Sequence, residues 1–143
     1  MEGEYFEREP PPPGTPPSQG RYLEVAGIDP VEFTEGLAFQ PVLGERLLVN
    51  FVRFEPHTSA PVHTHPEEQV SIMVEGELEF DLDGDVRTLR PGSAVVIPPH
   101  VPHGARTLES TCFEIDVFSP PRRALIDVAR RARPPDDPSN RTD

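Results

Sequence analysis

Short apolar and alternating runs recur along the middle of the chain, separated by turn residues. Leu47 to Phe54 (LLVNFVRF) reads as a strand, and His57 to Pro61 reads as a turn. Gln69 to Glu75 (QVSIMVE) alternates with period two and ends at Gly76. Glu77 to Leu82 and Asp85 to Leu89 are two further strands flanking Asp83-Gly84, a strong hairpin signal. Pro91-Gly92 is a turn, Ala94 to Ile97 a short apolar strand, and Pro98 to His103 a proline-rich loop. Thr111 to Phe118 (TCFEIDVF) is the last long strand. Strands this short and this evenly spaced predict an all-β sandwich or barrel. A single helix is expected after them, with Ser119 as its cap and Pro120 or Pro121 in its first turn. Leu125, Val128, Ala129 and Ala132 would share its buried face.

Composition places the ends of this domain. Of 20 prolines, six fall within residues 1–20, which predicts a proline-rich extended arm there. Residues 21–120 would form the barrel, 121–133 the helix and 134–143 a disordered tail. The chain has 143 residues, enough for one domain with one modest core.

Charge narrows the partners. The net charge is −12, with the acids concentrated between residues 21 and 120. An acidic body without a basic stripe argues against nucleic acid and against anionic membrane surfaces. No long apolar span and no basic-then-apolar N-terminus is found, so a cytoplasmic protein is expected. All 13 cationic residues are arginine, the composition expected from a GC-rich genome. The lone Cys112 rules out an intrachain disulfide and reads as a small core residue.

Candidate chemistry lies in the histidines. His63 and His65 are two residues apart and project to one face of an extended segment, with Gln69, Ser71 and Met73 in the same parity. Val70, Ile72 and Val74 then form an aliphatic stripe on the other face. That stripe, with Phe113, Ile115 and Val117, favours a homodimer, although the proline-rich arm is an alternative cover. A barrel can return His103 to the first two histidines, and three imidazoles make an open metal site.

The segments HTHPEEQVSIMVEG (63–76) and GSAVVIPPHVPH (92–103) resemble the two motifs of the cupin family, in order and spacing. The resemblance implies a cupin jelly-roll β-barrel holding one divalent ion with His63, His65, Gln69 and His103. Zn2+ is the first expectation, with Ni2+, Mn2+ or Fe2+ as alternatives. Gln69 stands where the motif usually has glutamate, His57 and His100 where it usually has glycine, and Thr107 where it usually has asparagine. The Gln variant, followed by DVFSPPR (116–122), resembles small uronate-linearising cupins in which the glutamine is itself a ligand. That resemblance puts Asp116, Phe118 and Arg122 in the active site. The third histidine of that subset is absent, and Glu67 takes its place.

Three imidazoles and an amide are neutral and leave the ion's full charge for Lewis-acid work. Asp116 is inward with Cys112, Glu114 and Phe118, as a general base or as a partner that orients a ligand. Arg122 either clamps an anionic substrate or sits in the first helical turn. Ser71, Met73 and Phe118 suggest an apolar cavity for a small-molecule substrate. His57 and His100 read as solvent-facing turn residues, or as a fourth histidine ligand if one turns inward. Four functions follow: a cupin-type polyketide cyclase, a uronate-linearising enzyme, a metal-dependent dioxygenase, and a non-enzymatic binding cupin. The cyclase is placed first, for the apolar cavity.

Overall fold

The structure is a computed structural model and describes residues 3–133. Ten strands run β1 (Val31–Thr34), β2 (Leu37–Leu43), β3 (Leu48–Phe54), β4 (Ser59–His63), β5 (Glu68–Gly76), β6 (Leu78–Leu82), β7 (Asp85–Leu89), β8 (Ala94–Ile97), β9 (His103–Arg106) and β10 (Cys112–Ser119). Among the described residues one α-helix, α1 (Arg123–Ala132), follows the strands. The strands form a six-stranded sheet in the order β1-β2-β3-β10-β5-β8 and a four-stranded sheet in the order β4-β9-β6-β7. All pairings are antiparallel. This is the expected all-β jelly roll with a short C-terminal helix.

Local chemistry sets the frame. Asp83 and Gly84 take φ of 50° and 87°, as a two-residue hairpin turn with the twist of its strands requires. Asp81 accepts a hydrogen bond from the Gly84 N–H at 2.8 Å and tightens that turn. At Gly104 a Cβ would meet Val62 N at 2.8 Å, so only glycine lets β4 lie this close to β9. That approach makes His63 and His103 direct register partners.

The main core fills the space between the sheets with Leu37, Val52, Phe54, Met73, Leu78, Phe80, Ile97 and Cys112. A second cluster joins Leu48 and Phe118 to Leu125 and Ala129 of α1. The helix buries Leu125, Val128, Ala129 and Ala132, the face its periodicity predicts.

Several elements depart from the sequence expectation. Strands β1 and β2 lie where none was expected. β2 contains Pro41, which pairs with Asn50 of β3 but lies beyond the reach of β1, so its missing N–H costs no sheet bond. The turn after β3 is confined to Pro56-His57, and β4 begins at Ser59. The loop from Pro98 ends at Pro102, and β9 follows it. Ser119 does not cap the helix. It is the last residue of β10, and its hydroxyl donates to Arg46 O at 3.2 Å. The cap position is Arg122, and the first helical N–H is satisfied from a distance, by the Glu67 carboxylate at 2.9 Å. Within the arm, Glu4–Phe6 form one 3-10 turn, with Tyr5 and Phe6 exposed and packed edge-on against each other. The expected tail, 134–143, lies outside the described residues.

Candidate metal centre

Two strands and a connection bring the histidines together. His63 ends β4, His65 lies in the link to β5, and His103 opens β9. One ring nitrogen of each lies within 4.8 Å of the others. His65 and His103 are buried, while His63 is exposed.

Backbone carbonyls fix all three tautomers. The Nδ1–H of His63 donates to Pro61 O at 2.8 Å, that of His65 to Glu67 O at 3.0 Å, and that of His103 to Val101 O at 2.9 Å. A carbonyl can only accept, so each Nδ1 carries the proton and each Nε2 presents a lone pair. The Nε2 atoms of His65 and His103 nevertheless face each other at 3.2 Å. Gln69 Oε1 lies 3.0 Å from His65 Nε2. Acceptors therefore converge with no proton between them, an arrangement that a divalent cation satisfies. Burial pushes His103 down to about 4 and His65 below its ordinary value, which keeps both rings neutral and ready to ligate.

The amide of Gln69 is also oriented. Its Nε2 donates to Ser71 Oγ at 2.8 Å, and Ser71 Oγ donates to Asp116 Oδ1 at 2.6 Å. Because Asp116 accepts, the hydroxyl must receive from the amide NH2, and the amide oxygen is left aimed at the histidines. Burial pushes Asp116 up to about 6, against the hydrogen bonds it accepts from its neighbours. Burial and the Asp116 charge push Glu114 well above the ordinary carboxyl range, so Glu114 holds the proton of the pair.

These groups open onto a cavity of about 370 Å³. His63, Gln69, His103 and Asp116 line it beside Phe33, Phe39, Phe54, Phe80 and Phe118. Among the described residues, Arg122 is the one arginine on its wall. Ser71 and Met73 do not line it. Ser71 is the relay just described, and Met73 packs in the core against Cys112. Burial pushes the Cys112 thiol up to about 12, which leaves it an inert core group. His57 and His100 are exposed turn residues at φ of 52° and 66°, and neither joins the histidine cluster. The left-handed backbone explains why glycine is usual at both positions. Thr107 is buried and pins the turn before β4, donating to Glu55 O at 2.6 Å and accepting from Thr58 N–H at 3.0 Å.

Two site residues were not anticipated in these roles. Glu67 stands 3.5 Å from His65 Nδ1 and 3.6 Å from Arg122 Nη1 while holding the first N–H of α1. Burial pushes its carboxyl up, but the Arg123 N–H and the Arg122 charge outweigh that and hold it below its usual range. Asn50 is 1% exposed and lines the cavity from β3. The signal for Asn50 was its place in LLVNFVRF: an amide in the inward parity of Leu48, Val52 and Phe54.

Comparison with known proteins agrees with this geometry. The cupin domain family matches residues 50–117. The structure of KdgF from Halomonas sp. superposes with a TM-score of 0.72 at 31% identity, covering 76% of this chain and all of that one. An RmlC-like cupin from Shewanella frigidimarina gives 0.69 at 30% identity, over 76% of this chain and 98% of that one. H2HPP isomerase from Bacillus subtilis is 38% identical over 80 residues, 53% of this chain. The chain spans only 33% of that curated relative's length. The jelly roll, the two motifs and the converging histidines thus have one explanation, and the chain belongs to the cupin family.

Proposed function

We propose that this cupin is a metal-dependent enzyme that enolises a carbonyl substrate with an apolar body, the chemistry of a polyketide cyclase or a related isomerase. The observation that carries the reading is the cavity wall: among the described residues, five phenylalanines, Leu37, Val52 and Leu125 against a single arginine, Arg122. Such a wall favours an aromatic or polyketone skeleton over a densely hydroxylated acid.

His63, His65, His103 and Gln69 would hold the ion, and when bound it would draw charge from a substrate carbonyl. The remaining steps belong to the protein. Asp116, near neutrality at about 6, removes a proton from the carbon beside the carbonyl and can return it elsewhere. Ser71 donates to Oδ1 of Asp116 and holds the carboxylate in place. Phe118, beside Asp116 in sequence parity, and Phe80 hold the substrate body and exclude water. Arg122, anchored by Glu67, faces an oxyanion as charge develops.

A second reading, a uronate-linearising enzyme, is favoured by one fact: Asp116, Phe118 and Arg122 of the DVFSPPR segment line the same cavity as Gln69. One experiment separates the two. The metal-loaded protein should accelerate deuterium exchange at the central methylene of benzoylacetone, and chelation should abolish it. No exchange, together with turnover of an unsaturated uronate, would replace the first reading by the second. Zinc in the purified protein would count against dioxygen chemistry, whereas iron would favour it.

As to partners, we read the outer face of the six-stranded sheet as the contact surface of a homodimer. Ile72, Val74 and Val96 are exposed there at 39%, 37% and 58%. Among the described residues no helix is long and apolar enough to cross a membrane.

A further inference from the structure

The cavity wall holds polar side chains that the proposed chemistry does not use. Among the described residues, three buried side-chain oxygens have no hydrogen-bond partner: Asn50 Oδ1, Glu67 Oε1 and Glu114 Oε2. Glu67 Oε1 has the charges of Arg122 and His65 nearby. The other two have no such neighbour, and both residues line the cavity. Asn50 is 1% exposed and Glu114 4%.

Strand register places them away from the histidines. Gln69 pairs with Phe118, Asp116 pairs with both Ser71 and Asn50, and Glu114 pairs with Met73 and Val52. At about 3.4 Å per residue, Asn50 sits about 7 Å along the sheet from the Gln69 level, and Glu114 about 14 Å. Asn50 therefore lies level with Asp116, and Glu114 one inward position farther from the converging imidazoles, beside Val52 and Phe54 on the cavity wall. An unpaired buried acceptor is costly, and an apolar residue at either position would remove that cost. Holding two of them on one cavity wall makes physical sense if a ligand donates to them.

We infer that Asn50 and Glu114 form a hydroxyl-binding subsite, and that the substrate carries a phenol- or enol-type hydroxyl that reaches the Asp116–Glu114 level of the cavity. The inference rests on the proposed reading that the cavity takes an apolar carbonyl substrate, and it names the class: a hydroxylated aromatic or polyketone about two fused rings long. Glu114 keeps its proton toward Asp116, so its free oxygen is the carbonyl-type acceptor of a neutral acid, suited to a neutral hydroxyl. The lining at this level is apolar or acidic, which disfavours a carboxylate there.

The test uses two probes of equal shape, 2-naphthol and 2-methylnaphthalene, titrated into the purified full-length protein by calorimetry. The quantity read is the ratio of their dissociation constants, compared between wild type and the variants Asn50→Leu and Glu114→Met. The expected result is that each variant still binds 2-methylnaphthalene while its relative preference for 2-naphthol falls about tenfold. Asn50→Leu should also melt no lower than wild type, since it removes an orphaned acceptor. Either variant alone decides the matter if the other does not fold. If both probes bind and the ratio is the same in all three proteins, the two oxygens serve only trapped water and the subsite is overturned, with the carbonyl reading intact. If neither probe enters the wild-type cavity, both the subsite and the apolar-substrate reading fall.

Discussion

The two faces of the β5–β10 strand pair reverse the usual allocation of residues. Facing inward are Gln69 and Ser71 on one strand and Glu114 and Asp116 on the other, all buried. Facing outward are Val70, Ile72 and Val74, and opposite them Phe113, Ile115 and Val117, all half-buried or exposed. An antiparallel sheet that covers a core normally does the opposite. The inward polar groups cost stability unless each finds a partner, and most are linked in the run from Gln69 through Ser71 to Asp116. The apolar core is displaced to Met73 and Cys112 at one end of the strands and to Phe118 under α1 at the other. The inner face is thus built for a site, and the outer face for cover.

If the inner face is a site, removing a ligand should have the largest effect. His103→Ala should lose the metal and reduce turnover to background, checked by elemental analysis beside the deuterium-exchange assay. The fold should survive, because Phe80 and Gly104 still line the space. Next comes Asp116→Asn, expected to lower kcat by roughly 10²–10⁴-fold while metal content stays the same. The sign of its pH effect follows from the raised carboxyl. A base must be deprotonated to act, and burial moves Asp116 from 3.8 to about 6. The acidic limb of kcat/KM should therefore fall near pH 6, not near pH 4, and vanish in the variant. A limb that persists in Asp116→Asn would assign the base elsewhere.

Much of this reversal was readable in the sequence. Period-two alternation put Gln69, Ser71, Glu114 and Asp116 on one side because strands leave no other choice of face. The motif spacing brought His103 to His63 and His65. What could not be read depends on contacts distant along the chain. β1 and β2 were hidden by acidic residues and by Pro41, which is harmless only because β1 is short. β9 carries HGAR, with no apolar pattern, and is a strand because Gly104 lets β4 approach. Glu67 looked like a missing histidine, yet it anchors the start of α1 and Arg122, a role set by a helix 56 residues away. Arg122 was read as a clamp for an anionic substrate or as a residue of the first helical turn; it stands one residue before α1, as its cap, and lies on the cavity wall.

The outer face can be broken separately. Ile72→Glu puts a charge in the centre of the aliphatic stripe without touching the cavity, since Ile72 is 39% exposed and pairs with Ala94 and Ile115 across the sheet. If two copies cover this face, the dimer dissociation constant should rise about a hundredfold, because a desolvated charge there is left unpaired. Sedimentation equilibrium reads it directly. A wild-type chain that sediments as a monomer would mean the outer face meets something other than a second copy.

The smallest expected effect is the most informative about how the inner face is ordered. Ser71→Ala removes one hydroxyl and leaves no hole larger than an oxygen. Gln69 then loses the acceptor that fixes its amide, and Asp116 loses a donor at 2.6 Å. Folding stability should drop by only about 1 kcal/mol, the usual worth of such a bond. Metal affinity should fall by about tenfold, because the amide can now turn its NH2 toward the histidines and repel the ion. Losing its Ser71 donor should also move Asp116 further up, carrying the acidic limb of kcat/KM above its wild-type position. Ser71→Thr, which restores the hydroxyl, should recover both. If Ser71→Ala changes melting alone and leaves metal affinity and the pH limb in place, Gln69 is held by the ion itself, and the relay from Asp116 is merely packing.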